Sequence, residues 1–143
     1  IFRRKVFMKV LLDTNIVLDV LLQKEPFCKE AKEIFAQVES GKIEGILCAT
    51  TITTIYYLVS KTTTISNAND IIKKLLLLFE IATVNKHVLQ KALQNSGKDF
   101  EDSVIYTSAE VFDIDVIISR DLKGFKKSKV MTQSPKEFLL LHH

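Results

Sequence analysis

Residues 9–15 read Lys9-Val10-Leu11-Leu12-Asp13-Thr14-Asn15, and this stretch decides the fold. Its apolar run is short and shows no polar alternation, the pattern of a strand covered on both faces. Asp13-Thr14-Asn15 is a polar turn cluster that stops it. The most persuasive second strand is 116–119, a β-branched run that leads into Arg120-Asp121. Strands of this kind belong to parallel sheets, whose crossover helices cover both faces.

Helical periodicities fill the spaces between such runs. Residues 16–23 carry apolar side chains at 17, 18, 20, 21 and 22 and read as a short helix. Pro26 suits the first position of a second helix, which Gly41 closes near Lys42. Further strands are expected at 45–49, 81–84 and 129–132. Residues 50–61 are rich in Thr and Ile, which favour strand, yet a third helix fits the alternation better. Ser66 is expected to cap a helix reaching Phe79, and Asn85 one over 86–95 that Gly97 ends. Asp99 opens a helix to about Phe112, and Ser134-Pro135 starts the last one. The expected class is α/β.

Composition narrows the chemistry. The 143 residues are 47% hydrophobic and 26% charged, which suits one compact unit with its own core. We expect a single domain over 8–139, with Met8 as a natural start and residues 1–7 as an N-terminal extension or vector-derived. Cys28 and Cys48 are too few for a disulfide framework or a four-cysteine zinc site and favour a reducing, cytoplasmic location. His142 and His143 end the chain, which leaves His87 as the one interior histidine. Ser-His-Asp catalysis and histidine-rich zinc sites therefore lack material, and His87 and both cysteines read as structural. Four glycines form neither a GxGxxG nor a GxxxxGK[ST] loop, which removes the nucleotide-binding readings. Stretch 10–22 is interrupted by Asp13, Asn15 and Asp19 and is too short to span a membrane.

What remains is carboxylate chemistry. Asp13 and Asp121 each stand just past the C-terminal end of an expected buried strand, where open α/β sheets bind ligands. Taken singly, each could merely cap the turn that follows. Lys98-Asp99-Phe100-Glu101-Asp102 adds a third element: with Asp99 as N-cap, Asp102 falls at the third helical position on the same face. An N-cap with acids in the first turn accounts for part of this. Three acids within four residues also repel, and a cation would relieve that repulsion. Hard cations such as Mg²⁺ take oxygen ligands, so aspartates alone can run a phosphodiester hydrolase. Asp19, six residues beyond Asp13, is ambiguous, an ordinary exposed helical acid being one reading.

These pieces resemble the PIN-domain ribonucleases, a family that includes the VapC-type toxins. The matching stretches are 11–19 around Asp13, 98–104 around Asp102, and 118–125 around Asp121, in order and at strand-end placement. The resemblance implies a three-layer α/β/α fold with a central parallel sheet. It also implies Mg²⁺- or Mn²⁺-dependent cleavage of single-stranded RNA, an antitoxin protein as partner, and a homodimer. Carried over by position, Asp13, Asp102 and Asp121 are the metal ligands, and Asp99 assists them in catalysis. Asn15, Thr54 and Ser119 support the ligands. One departure stands out: family members usually place a glutamate on the third helix, where residues 51–57 hold no acid and Thr54 aligns best. Asp99 is the expected substitute.

Charge is unevenly spread. Residues 1–9 hold Arg3, Arg4, Lys5 and Lys9 with no acid, residues 120–143 carry a net +4, and the stretch between carries −5. Arg120, Lys123, Lys126 and Lys127 are therefore the candidate RNA contacts, basic groups beside an acidic site. The plainer account is a solvated lysine-rich loop. Leu75 to Leu78 exceed what one helix face buries, which points to core packing or a second subunit. Two rival functions are a catalytically weakened RNA-binding module of the same fold, and a receiver-type phosphoacceptor domain. The receiver reading wants an acidic pair after the first strand, which Asp13-Thr14-Asn15 lacks.

Overall fold

The computed structural model of the protein describes residues 7–95 and 99–142. In chain order its elements are β1 (Lys9–Leu12), α1 (Thr14–Leu21), α2 (Cys28–Glu39), β2 (Glu44–Cys48), α3 (Ala49–Thr62) and α4 (Ile65–Leu78). Then follow β3 (Glu80–Ala82), α5 (Lys86–Gln94), α6 (Phe100–Val111), β4 (Val116–Ile118), β5 (Met131–Gln133) and α7 (Pro135–Leu141). The expected helix end at Gly97 lies outside the described residues, as do Lys98, Arg3, Arg4 and Lys5.

All five strands run parallel in the order β3-β2-β1-β4-β5. Side chains alternate across this sheet. Val10 and Leu12 of β1, Leu47 of β2 and Ile118 of β4 enter one layer with Ile16, Phe35, Ile55, Leu75 and Phe138 from α1, α2, α3, α4 and α7. Leu11, Ile46 and Ile117 enter the other, against Val88 and Ala92 of α5 and Ile105 and Ala109 of α6. Both pleat faces of the central strands β1, β2 and β4 are dry, which is why these strands show no polar alternation. The result is the three-layer α/β/α architecture.

The chain builds β1, β2 and β3 outward in one direction and then β4 and β5 in the other. Between β1 and β4 the direction switches, and the C-terminal crevice at such a switch is where open α/β sheets bind ligands. Asp13 ends β1 at this point, its backbone N–H donating to the Ile118 carbonyl of β4 at 2.9 Å.

Several element boundaries differ from the sequence reading. The Asp13-Thr14-Asn15 cluster is already helical from Thr14, because the Asp13 carboxylate accepts the Thr14 N–H at 2.8 Å and starts α1 as its N-cap. Pro26 stands in the turn ahead of α2, which begins at Cys28. Thr64, rather than Ser66, caps α4 by accepting the Asn67 N–H at 3.0 Å. β3 and β5 are each displaced by one or two residues from their expected positions. Residues 50–61 are helical despite their strand-favouring composition: Thr51, Ile55 and Val59 recur at helical spacing and are buried. Tertiary burial of that stripe outweighs intrinsic propensity. Gly41 closes α2 with φ +79°, the left-handed conformation glycine takes without strain. Gly45 is required for another reason, since a Cβ there would lie 2.7 Å from the Phe79 ring and 2.8 Å from Val38. The four leucines of α4 divide: Leu75 is buried, whereas Leu76 and Leu77 are exposed, Leu77 at 89%.

Candidate active site

Two strand ends and three helices meet at the switch point. A cavity of about 260 Å³ there is lined by Asp13, Thr14, Asn15, Leu18, Thr54, Leu58, Asp99, Glu101, Asp102, Ile105 and Asp121. Six of the positions singled out from sequence thus share one cavity: Asp13, Asn15, Thr54, Asp99, Asp102 and Asp121. They come from β1's end, α1, α3, the start of α6 and the end of β4. Larger hollows on the surface, such as one beside Pro26 and Phe27, gather few acids and lie elsewhere.

Each acid is held by identifiable donors. Ser119, wholly buried behind the cavity, donates from Oγ to Asp13 Oδ2 at 2.8 Å and accepts the Asp121 N–H at 3.0 Å. One hydroxyl therefore ties the Asp13 carboxylate to the Asp121 backbone. Asp121 Oδ1 accepts the Gly124 N–H at 3.1 Å. Asp99 is the N-cap of α6, its Oδ1 accepting the Asp102 N–H at 3.2 Å. That bond fixes Asp102 at the third helical position, the placement the spacing implied. On α3, Thr14 and Thr51 share a hydroxyl–hydroxyl bond of 2.9 Å that ties α1 to α3 beside the cavity.

Electrostatics record the crowding. Burial, then the charges of Asp99, Asp13, Asp121 and Glu101, push the Asp102 carboxyl up to about 7. Asp13 is also raised by burial, against the lowering bonds from Ser119 and Thr14, with Asp121 and Glu101 adding to the rise. Carboxylates crowded in this way disfavour one another's charge, and a bound cation would relieve that repulsion.

Whether the residues fit a divalent ion can be judged from the donors themselves. All are oxygens, the preference of Mg²⁺ and Mn²⁺. Gly124 provides a second indication: a Cβ on it would collide with Asp102 Oδ2 and stand 2.7 Å from Asp121 Oδ2. The missing side chain leaves room for two carboxylates to lie side by side. Among the described residues, no three acidic, thiol or imidazole groups already close on one point as an ion's shell would. The carboxylates ring the cavity instead, as like charges do. The donor set fits.

The pairing of Asp19 with Arg120 is not visible in the sequence. Asp19 is fully buried rather than exposed, and Arg120 grips it with two bonds, Nε to Oδ2 at 2.7 Å and Nη2 to Oδ1 at 3.1 Å. The Arg120 guanidinium also lies 3.9 Å over the Phe27 ring. It fastens α1 to the end of β4, with its side chain 28% exposed. Lys123, Lys126 and Lys127 lie on the loop after β4. Lys127 turns toward a separate polar hollow with Lys129, Tyr106 and Glu110. Glu101 is a further cavity acid that the sequence does not single out, because the threonine facing it lies on α3, far away in the chain.

A parallel α/β/α sheet with aspartates gathered at its switch point defines a class of acid-centred α/β domains. The sequence profile of the PIN domain family matches residues 9–123, and the chain belongs to that family. Among curated proteins it is similar to "Ribonuclease VapC1" of Aquifex aeolicus (strain VF5), 26% identical over 135 residues, covering 91% of this chain and 92% of that protein. Among solved structures it is similar to VapBC-1 from nontypeable Haemophilus influenzae, with a TM-score of 0.68, 16% identity, and coverage of 90% of this chain and 99% of that one. A toxin–antitoxin complex from Klebsiella pneumoniae gives a TM-score of 0.66 at 19% identity, covering 88% and 97%. At these identities the structural likenesses establish the shared fold. Among the described residues, no helix is long and apolar enough to cross a membrane.

Proposed function

We propose that the protein is a divalent-cation-dependent endoribonuclease acting on single-stranded RNA, and that it is the toxin of a toxin–antitoxin pair. The observation that carries this reading is the meeting of Asp13, Asp102 and Asp121 at the sheet's switch point, with Gly124 leaving space between the last two. Family membership and the name of the Aquifex relative support the ribonuclease class. The complexes among the structural relatives support a protein partner. An apolar groove lined by Val20, Leu21, Phe35, Ile71, Leu75 and Leu78 offers that partner a surface.

Asp13, Asp102 and Asp121 would hold Mg²⁺ or Mn²⁺, and the bound ion would supply Lewis-acid assistance to phosphodiester hydrolysis. The chain's own residues do the rest. Ser119 orients the Asp13 carboxylate and holds the Asp121 backbone, and the Gly124 N–H orients the Asp121 carboxylate, before anything binds. Asp99 holds the first turn of α6, which keeps Asp102 pointed at the same space. Leu18, Leu58 and Ile105 form the apolar floor that limits water around the acids. Lys123 and Lys126 would draw the phosphate backbone toward the cavity through charge alone.

The test is cleavage of a single-stranded RNA with added Mn²⁺, with Mg²⁺, and with chelator. The expected result is cutting that needs the ion and disappears in Asp121→Asn. RNA binding without cleavage under all conditions would favour the weakened RNA-binding module, a reading prompted by Thr54 standing where an acid is usual. Cleavage unaffected by chelator would remove the proposed mechanism.

A further inference from the structure

α3 presents a hydroxyl rather than a carboxylate to the cavity, and an acid of α6 faces that hydroxyl. Thr54 lines the cavity from α3, and its Oγ1 lies 3.4 Å from Oε1 of Glu101, which stands in the first turn of α6. The same hydroxyl bonds the Thr50 carbonyl at 3.1 Å, so its one proton is shared between a helix carbonyl and Glu101. Among the described hydrogen bonds, the Asp99 side chain caps α6 and makes none with α3. Glu101 makes no such capping bond among the described contacts. It has the longer side chain, and it reaches the wall of the cavity opposite its own helix. Its charge is felt at both Asp13 and Asp102.

We propose that Glu101 is the fourth carboxylate of the cation site, and that Thr54 is the positioning residue that holds it against α3. This inference rests on the cation-site reading given above. In physical terms, the site keeps its negative charge while changing the helix that delivers it. The acid arrives from the same helix turn as Asp102, so α6 contributes two carboxylates and α3 a neutral hydroxyl. A hydroxyl is the suitable partner at that point. It donates to Glu101 and adds no further repulsion to an already crowded set of acids.

The proposal separates from its premise by Mn²⁺ binding measured as the shift of melting temperature, with no RNA present. The proteins compared are the full chain, Asp13→Asn, Glu101→Gln, and Glu101→Gln combined with Thr54→Glu. The expected result is that Glu101→Gln weakens apparent Mn²⁺ affinity at least tenfold. Returning the acid on α3 in the double variant should bring affinity back to within about threefold of the unaltered chain, an effect a merely stabilising role for Glu101 would not produce. If Glu101→Gln binds Mn²⁺ like the unaltered chain while Asp13→Asn does not, the assignment of Glu101 is overturned and the cation site stands. If the loss in Glu101→Gln is not restored by Thr54→Glu, the two positions do not serve one role and the replacement is overturned. If Asp13→Asn also binds like the unaltered chain, the cation-site reading itself fails.

Discussion

Arg120→Met should unfold the protein about 9 °C earlier than the unaltered chain, and the reason lies away from any ligand. Asp19 has a side chain only 1% exposed, and its partner across the bond is 28% exposed. Removing the guanidinium strands a carboxylate in the interior of α1, and breaking a buried pair from one side costs about 3–5 kcal/mol. Because the arginine itself is partly solvated, the lower end applies, about 3 kcal/mol. The stacking on Phe27 accounts for a fraction of this, about 0.5–1 kcal/mol. For a chain of this size each kcal/mol moves the melting temperature by about 3 °C. Urea denaturation at pH 7 measures the loss directly. The companion variant, Asp19→Leu with Arg120→Met, removes both charges and recovers most of it, because apolar replacement of a whole pair is close to neutral. A loss below about 1 kcal/mol in the single variant, or a double variant no better than the single, would refute the view that Arg120 fastens the fold.

Other outcomes follow from the same geometry. Without metal, the protein should be less stable at pH 8 than at pH 5: Asp102 is raised to about 7 in the folded chain, so its protonated form favours folding and stability falls as pH rises from about 4 to about 7, then levels. The full gap would correspond to about 4 kcal/mol, but Asp102 is partly open to water, and screening reduces the expected loss to about 1–2 kcal/mol, read from urea midpoints across pH. Gly124→Ala should weaken Mn²⁺ binding more than it changes stability, since its methyl group pushes on the Asp102 and Asp121 carboxylates; equal metal response in calorimetry would contradict this. Lys→Gln at 123, 126 and 127 together should flatten the salt dependence of RNA binding by roughly two units, at about 0.7 for each single-strand contact. An unchanged slope would show those lysines to be surface only.

The sheet was legible because each central strand is dry on both faces. Val10-Leu11-Leu12 and Val116-Ile117-Ile118 could be read as strands without any partner in view. The aspartates at their ends followed from that, since the strand end fixes where the next polar residue must sit. Less legible were features that depend on a distant residue. The helicity of 49–62 is set by burial of Thr51, Ile55 and Val59 against the sheet, and local propensity points the other way. Asp19 was ambiguous because its partner lies 101 residues later. Glu101 was hidden for the same reason: its significance comes from Thr54 across the cavity, 47 positions earlier. Ser119, by contrast, could be placed from sequence, as it stands between a buried strand and Asp121.

The central claim is that Asp13, Asp102 and Asp121 form a cation site, and the melting temperature as a function of Mn²⁺ tests it most directly. Binding to the folded chain alone stabilises it by about 2.7 kcal/mol at a hundredfold excess over Kd, which for this length raises the melting temperature by about 8 °C. Asp13→Asn keeps the shape while removing the charge, and its single oxygen can accept only one of the two bonds from Thr14 and Ser119. The account predicts a rising curve for the unaltered chain and a flat one for Asp13→Asn. Two flat curves, or two that rise equally, would mean that these aspartates only cap their helices and turns, and would contradict the account.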